Sequence, residues 1–119
     1  MKRFTSLLAV AVVLGGVAVV QAGRIPGPAR DVETIKAYSR VTYSSVVFRA
    51  GELAVVQIQG DGSTDLDVFV YDEDGNLVAQ GIGPTDYERV TWTPRWTGPF
   101  RIVVENLGSS RNTYFLRTN

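Results

Sequence analysis

The clearest feature of the chain is an alternation of polar and apolar residues in Gly62–Gly75, which reads GSTDLDVFVYDEDG. In an extended chain, Leu66, Val68 and Val70 fall on one side, and the residues between them fall on the other. The Asp74-Gly75 pair near the end of this stretch is typical of a hairpin turn. The pattern therefore predicts a half-buried β-strand that ends in a hairpin.

Similar stretches recur at a spacing of roughly 8–12 residues, separated by Gly, Asp and Pro. The segments predicted as strands are 46–48, 53–59, 66–71, 76–80, 88–93, 100–105 and 113–117, whereas 31–43 suits either a helix or an extended edge strand. No segment after residue 22 shows sustained helical periodicity. The sequence therefore predicts an all-β fold, an antiparallel β-sandwich or jelly-roll-like barrel of seven to eight strands.

The first 22 residues differ in composition from the rest of the chain. Met1–Arg3 is basic, 4–20 is uncharged and mostly Val, Leu and Ala, and Val20–Ala22 offers small residues before a cleavage point. This pattern predicts a signal peptide, removed after Ala22, and a secreted or periplasmic protein without a stable membrane span. The alternative is an uncleaved anchor, although the apolar stretch is slightly short for a membrane span. Residues 23–41 are then a leader and N-terminal segment, and residues 42–119 form the β-sandwich domain.

The composition excludes most catalytic chemistry. The chain contains no histidine and no cysteine, and Lys36 is its only lysine after Lys2. A serine nucleophile would lack its usual base, and zinc or haem would lack its usual ligands. Asp65 and Asp67 have the side-by-side placement of a paired-carboxylate hydrolase, but no cleft-forming insertion accompanies them. We therefore predict that the protein is not an enzyme.

The charge pattern argues against a nucleic-acid partner. The whole chain has 12 basic and 12 acidic residues, and without Lys2 and Arg3 the remainder has 10 basic and 12 acidic residues. No basic run or stripe is visible along the sequence, as a nucleic-acid-binding protein would be expected to show.

An acidic cluster is the best candidate for a metal site. Asp61, Asp65 and Asp67 lie in and just after a glycine-rich loop, and Ca²⁺ prefers carboxylate and loop carbonyl oxygens. Asp31 and Glu33 could complete such a site if the N-terminal segment folds back over it. The alternative is that these are solvated polar residues at the start of a strand, with Asp65 capping loop amides.

Exposed aromatic residues are the candidate ligand-binding positions. Phe69 and Tyr71 lie on the strand face opposite Leu66, while Tyr87 and Trp96 lie at or near turns. Exposed aromatics on a β-sandwich can stack on sugar rings or contact a protein partner. The alternative is that neighbouring loops cover them.

Five short stretches occur in the order and with the gaps of a known family. They are Phe48–Glu52, Thr64–Asp72, Asp74–Ala79, Thr97–Asn106 and Asn112–Leu116. Together they resemble the bacterial pre-peptidase C-terminal domain, a family related to the collagen-binding domains of collagenases. The resemblance implies a calcium-associated β-sandwich that is usually appended to secreted proteases and other exported enzymes. It also implies a role in secretion, stability or substrate targeting rather than in catalysis.

The resemblance covers Thr42–Asn119, and the chain departs from the family before that region. In collagen-binding relatives, acidic residues of an N-terminal linker bind calcium and surface aromatics bind collagen. Here the linker offers only Asp31 and Glu33, and the signal-peptide-like segment leads almost directly into the matched region. We therefore expect a free-standing copy of the domain.

The sequence thus predicts a secreted, non-catalytic binding or accessory module with calcium as a candidate structural ion. Its partner is expected to be an extracytoplasmic protein or polysaccharide. The alternative is a purely structural envelope component without a specific ligand.

Overall fold

The alternation along the chain forms eight β-strands in the computed structural model, which describes residues 23–119. The strands are β1 (Arg30–Ile35), β2 (Arg40–Phe48), β3 (Ala54–Gln59), β4 (Leu66–Tyr71), β5 (Leu77–Gly81), β6 (Tyr87–Trp92), β7 (Gly98–Asn106) and β8 (Asn112–Thr118). Residues 23–119 include no helix, and hence none long and apolar enough to cross a membrane. The predicted signal peptide, residues 1–22, lies outside the described residues.

The strands form two four-stranded antiparallel sheets. One sheet has the order β1-β8-β3-β6 and the other has the order β2-β7-β4-β5. Consecutive strands alternate between the sheets, except that β4 and β5 form a hairpin within one sheet. This order is that of an eight-stranded jelly roll. The prediction of an all-β, jelly-roll-like sandwich is therefore confirmed.

The hydrophobic core lies between the two sheets. Leu66, Val68 and Val70 of β4 are completely buried, as their period-two spacing predicts. Trp92 of β6 packs against the rings of Phe48 and Phe100, with centroid separations of 4.8 and 5.4 Å. The inward face of β4 therefore follows the alternation that the sequence shows.

The hairpin between β4 and β5 has the predicted turn chemistry. Oδ1 of Asp72 accepts hydrogen bonds from the backbone N–H groups of Asp74 and Asn76, at 3.0 and 2.8 Å. Gly75 adopts a φ of 84°, which glycine tolerates far better than other residues. The acidic run at this turn therefore organises its own backbone.

The ambiguous segment 31–43 contains two strands rather than a helix. β1 pairs with β8 from Arg30 opposite Arg117 to Ile35 opposite Asn112, and β2 begins at Arg40. Ile35 is only 1% exposed and belongs to the core. The folded unit therefore extends to the N-terminal side of Thr42, where the family resemblance starts.

Candidate binding surfaces

The start of β4 holds two desolvated carboxylates. Asp67 points away from the core, opposite Glu105 of β7, yet only 8% of it is exposed. Oδ1 of Asp67 and Oδ1 of Asp65 are both buried, and neither atom has a hydrogen-bond partner within the protein. Buried carboxylate oxygens without partners are costly. This pair is therefore an unusual electrostatic feature within residues 23–119.

Neighbouring acids add to the cost of ionising this pair. Burial raises the pKa of Asp67 to about 6, and the negative charges of Asp65, Glu88 and Glu105 contribute to the rise. Burial, with a contribution from Asp86, also raises the pKa of Asp65, and burial raises the pKa of Glu88. The sequence indicated Asp65 and Asp67 but not Asp86 and Glu88, because the crossing from β5 to β6 brings these two close.

Asp86 is held in place by a small polar network in this crossing. Its Oδ2 accepts hydrogen bonds from the backbone N–H of Gly62 at 2.6 Å and from Nδ2 of Asn112 at 3.0 Å. A Cβ atom at Gly60 would lie 2.2 Å from the same oxygen, so a larger side chain there would displace Asp86. No sequence motif indicated this network.

Two further residues of the calcium hypothesis, Asp61 and Asp31, accept hydrogen bonds from other parts of the protein. Asp61 accepts backbone hydrogen bonds from Ser63 at 3.0 Å and Thr113 at 2.9 Å, and hydrogen bonding, chiefly from the Ser63 hydroxyl, lowers its pKa. Asp61 therefore caps the loop amides, a role that the alternative interpretation wrongly assigned to Asp65. Oδ2 of Asp31 accepts a hydrogen bond from the Tyr43 hydroxyl at 2.8 Å.

The five predicted calcium ligands therefore occupy different environments. Asp65 and Asp67 lie together, Asp61 serves its own loop, and Asp31 and Glu33 lie on β1 in the other sheet. Across residues 23–119, no three acidic side chains are arranged to hold one metal ion. A calcium site would have to centre on Asp65 and Asp67 and draw further oxygens from water or the backbone.

An open groove of about 520 Å³ lies on the outer face of the β2-β7-β4-β5 sheet. It is lined by Arg40, Thr42, Phe69, Tyr71, Arg101, Val103 and Glu105. The guanidinium of Arg101 lies 4.7 Å from the centroid of the Tyr71 ring, and Arg40 forms an ion pair with Glu105 at 3.4 Å. The groove thus combines two aromatic rings with charges of both signs.

The register of β4 and β7 explains this arrangement. Phe69 is paired with Val103, and Tyr71 is paired with Arg101, so these residues share the outer face of the sheet. Both aromatic residues are half-buried. The sequence placed Phe69 and Tyr71 on the face opposite Leu66, and the strand register agrees with that placement.

The other two predicted ligand-binding aromatics lie elsewhere. Trp96 is 46% exposed, and its Nε1 donates a hydrogen bond to Oε1 of Glu73 at 3.2 Å, beside a cavity of about 330 Å³. Tyr87 lies on the outer face of the β1-β8-β3-β6 sheet, where Phe115 is also exposed. The sequence did not single out Phe115, because Tyr114 beside it made both faces of β8 aromatic. The four predicted residues therefore form three separate surfaces.

No family model and no curated protein sequence matches this chain. Solved structures do match its fold. A periplasmic lysozyme inhibitor of g-type lysozyme, PliG from Aeromonas hydrophila, has a TM-score of 0.58 at 15% identity and covers 77% of this chain and 84% of its own. The Yersinia pseudotuberculosis-derived mitogen has a TM-score of 0.57 at 15% identity, with coverages of 80% and 86%.

A third structure is the pre-peptidase C-terminal domain of collagenase from Bacillus anthracis. It has a TM-score of 0.51 at 11% identity and covers 76% of this chain and 89% of its own. The resemblance noted in the sequence thus has a distant structural counterpart, and proteins with other roles share the fold to a similar degree. The chain is therefore a small β-sandwich module of a fold that hosts several functions.

Proposed function

We propose that the protein is an extracytoplasmic, non-catalytic module that binds a protein partner through the groove on the β2-β7-β4-β5 sheet. The observation that carries the proposal is the groove itself, where Phe69 and Tyr71 lie beside Arg101 and the Arg40–Glu105 ion pair. Tyrosine and arginine are enriched among the residues that dominate protein–protein binding energy.

The contacts among the groove side chains, and their charges, support recognition of a protein. Arg101 is positioned over the Tyr71 ring, and Arg40 is paired with Glu105, so these long side chains lose little freedom when a partner binds. Charges of both signs at the rim favour a polar protein surface over a purely apolar ligand.

The comparisons and the N-terminal composition support the extracytoplasmic location. The signal-peptide pattern of residues 1–22 predicts export, and one protein of the same fold is a periplasmic lysozyme inhibitor. A g-type lysozyme is therefore the first defined partner to test. The absence of histidine and cysteine from the sequence supports a non-catalytic role.

A structural calcium ion is part of this proposal only at Asp65 and Asp67, whose buried Oδ1 atoms lack partners. A cation there would favour the ionised form of Asp67 and so oppose the burial and the repulsion that together raise its pKa. We expect the midpoint of thermal unfolding to be several degrees higher in millimolar calcium than in excess EDTA, because an ion that binds only the folded state stabilises it. Asp67→Asn should remove that difference, and equal midpoints for the unaltered protein would exclude the ion.

The role of the groove in binding can be tested by replacing two tyrosines that lie on opposite faces of the sandwich. Tyr71→Ala should weaken binding to the partner about tenfold or more, whereas Tyr87→Ala makes the same chemical change on the other sheet and should leave binding unchanged. Affinity would be measured for g-type lysozyme, and for any protein captured from the extracytoplasmic fraction of the source cells. Equal effects of the two substitutions on affinity would contradict the proposal that the partner binds in the groove.

Cell fractionation separates this function from that of a purely structural envelope component. A binding module should be recovered in a soluble extracytoplasmic fraction and should capture a partner in a way that depends on Tyr71. Uniform retention in the insoluble envelope, with no partner captured, would support the structural alternative.

A further inference from the structure

Three arginines form a row across the outer face of the β1-β8-β3-β6 sheet, although they are far apart in sequence. Arg30 of β1 lies opposite Arg117 of β8, Arg117 lies opposite Gln57 of β3, and Gln57 lies opposite Arg89 of β6. Neighbouring strands are about 4.8 Å apart, so this arginine row spans roughly 14 Å.

The side chains of the arginine row project into solvent. Arg30, Arg89 and Arg117 are all exposed, and their strand neighbours Val90 and Leu116 are buried. Nη2 of Arg117 donates a hydrogen bond to Oε1 of Gln57 at 3.2 Å, which shows that these two side chains share one face.

None of the outward strand positions on this face is acidic, and the nearby carboxylate of Asp61 is hydrogen-bonded to the backbone N–H of Thr113 at the end of the face. The outward positions of the four strands are Arg30, Val32, Thr34, Val55, Gln57, Gln59, Tyr87, Arg89, Thr91, Thr113, Phe115 and Arg117. Asp31 is hydrogen-bonded to Tyr43 of the other sheet, and the Glu88 carboxylate lies against the backbone of Gly83. The face is therefore positively charged, although residues 23–119 contain more acidic than basic residues.

The arginine row carries an intrinsic cost. Like charges directly opposite one another on neighbouring strands destabilise a sheet, and Arg30 and Arg117 form such a pair. Within residues 23–119, no ion pair involves Arg30, Arg89 or Arg117. An anionic ligand would relieve this repulsion, and no carboxylate within residues 23–119 is paired with these arginines.

A second row of exposed side chains runs beside the arginines. Val32, Phe115, Gln59 and Tyr87 lie opposite one another across the same four strands, two residues along each strand from the arginine row. Val32 is 62% exposed, Tyr87 is 44% exposed and Phe115 is 37% exposed. The face therefore presents aromatic rings beside a line of cations, at a separation of about 7 Å.

We propose that this face binds an acidic polysaccharide, independently of the protein partner proposed for the opposite sheet. Guanidinium groups bind carboxylate, sulfate and phosphate groups with paired hydrogen bonds, and a row of them matches successive anions along a linear chain. The rings of Phe115 and Tyr87 are placed to stack on the sugar rings between those anions. The two rows run side by side across the four strands, an arrangement that suits an extended chain.

The test measures binding of the purified protein to polygalacturonate and to heparin, with neutral dextran as the uncharged control. The double variant Arg89→Gln, Arg117→Gln should bind the acidic polysaccharides at least tenfold more weakly. The matched control is Arg95→Gln, Arg111→Gln, which removes the same charge at exposed arginines in the loops before β7 and β8. Its affinity should stay within about twofold of the unaltered protein. Circular dichroism would confirm that both variants fold.

Added salt should weaken binding of the unaltered protein and should affect the double variant less. Three results would overturn the proposal: equal loss of affinity in the two double variants, no binding to either acidic polysaccharide, or tighter binding to single-stranded DNA or anionic lipid vesicles. Tyr71→Ala should not change polysaccharide binding. Loss of protein binding and loss of polysaccharide binding can therefore be distinguished.

Discussion

At the scale of single residues, Asp67 makes stability depend on pH in an unusual direction. Its pKa is raised to about 6 in the folded protein, mainly by burial, whereas an aspartate in an unfolded chain titrates near 4. Between these values the folded state binds more protons than the unfolded state. The contribution of Asp67 to stability should therefore be greatest when its carboxyl is protonated, and it should fall as the pH rises from about 4 to about 6.

Asp67→Asn should remove most of this dependence. We expect the variant to gain about 1 to 2 kcal/mol at pH 7, a value reduced from the full linkage energy to allow for solvent screening. The measurement is the free energy of urea unfolding between pH 4 and pH 7. Asp74→Asn, at an exposed turn position, is the control and should leave the slope unchanged. An identical slope in Asp67→Asn and in the unaltered protein would show that Asp67 is not desolvated.

Leu66 tests the assignment of the core face of β4. Leu66→Ala should destabilise the protein by about 2–4 kcal/mol, because it leaves a cavity at a completely buried position. Leu77→Ala deletes the same atoms at a position that is 47% exposed and should change stability by less than about 0.5 kcal/mol. Chemical denaturation measures both, and similar losses in the two variants would contradict the assignment.

The sequence predicted which face of β4 Leu66 and Asp67 occupy, but it did not predict the burial of Asp67. The period-two pattern put Leu66 and Asp67 on opposite faces of one strand, because alternation depends only on the local chain. The raised pKa of Asp67 depends on its burial and, in addition, on the charges of Glu105 of β7 and Glu88 of β6, which lie far along the sequence. No local pattern could have shown that an outward-facing aspartate is desolvated.

At the scale of elements, β1 is an integral part of the folded unit, which therefore begins before Thr42. A chain that starts at Thr42 would lack β1, expose an edge of β8 and lose the buried side chain of Ile35. The truncated chain would also lack the backbone carbonyls of Ile35 and Lys36, to which Nδ2 of the buried Asn106 donates hydrogen bonds. We expect this truncated chain to show no cooperative thermal unfolding, whereas a chain that starts at Gly23 should unfold cooperatively. Equal midpoints for the two chains would show that β1 is dispensable.

The sequence could not resolve this element because segment 31–43 contains few apolar residues at a regular period. Its strand character comes from pairing with β8, near the other end of the described chain. The central strands carry stronger local alternation, and their prediction needed no such partner. Tertiary pairing, rather than local preference, therefore defines β1.

The arginine row is likewise a product of strand register. Each arginine is a single basic residue in its own strand, and the sequence showed no basic stripe. The pairing of β1, β8, β3 and β6 brings Arg30, Arg117 and Arg89 into line. The inference drawn from the linear charge pattern was therefore incomplete.

At the scale of the whole molecule, the two proposed surfaces lie on opposite sides of the sandwich. The groove is on the outer face of one sheet, and the arginine row is on the outer face of the other. Packed sheets are about 10 Å apart, so two ligands can bind without touching each other. We expect a saturating concentration of polygalacturonate to leave the affinity for the protein partner unchanged within about twofold. Competition between the ligands would place both on one surface.

The strand order also has a consequence for how the chain acquires its structure. β8, the last strand, lies between β1 and β3, so the β1-β8-β3-β6 sheet is incomplete until residues 112–118 are available. Pairings between strands so far apart in sequence are slow to form, because the intervening chain must first be closed into a loop. A chain that emerges from the ribosome therefore cannot complete this sheet before residues 112–118 are synthesised.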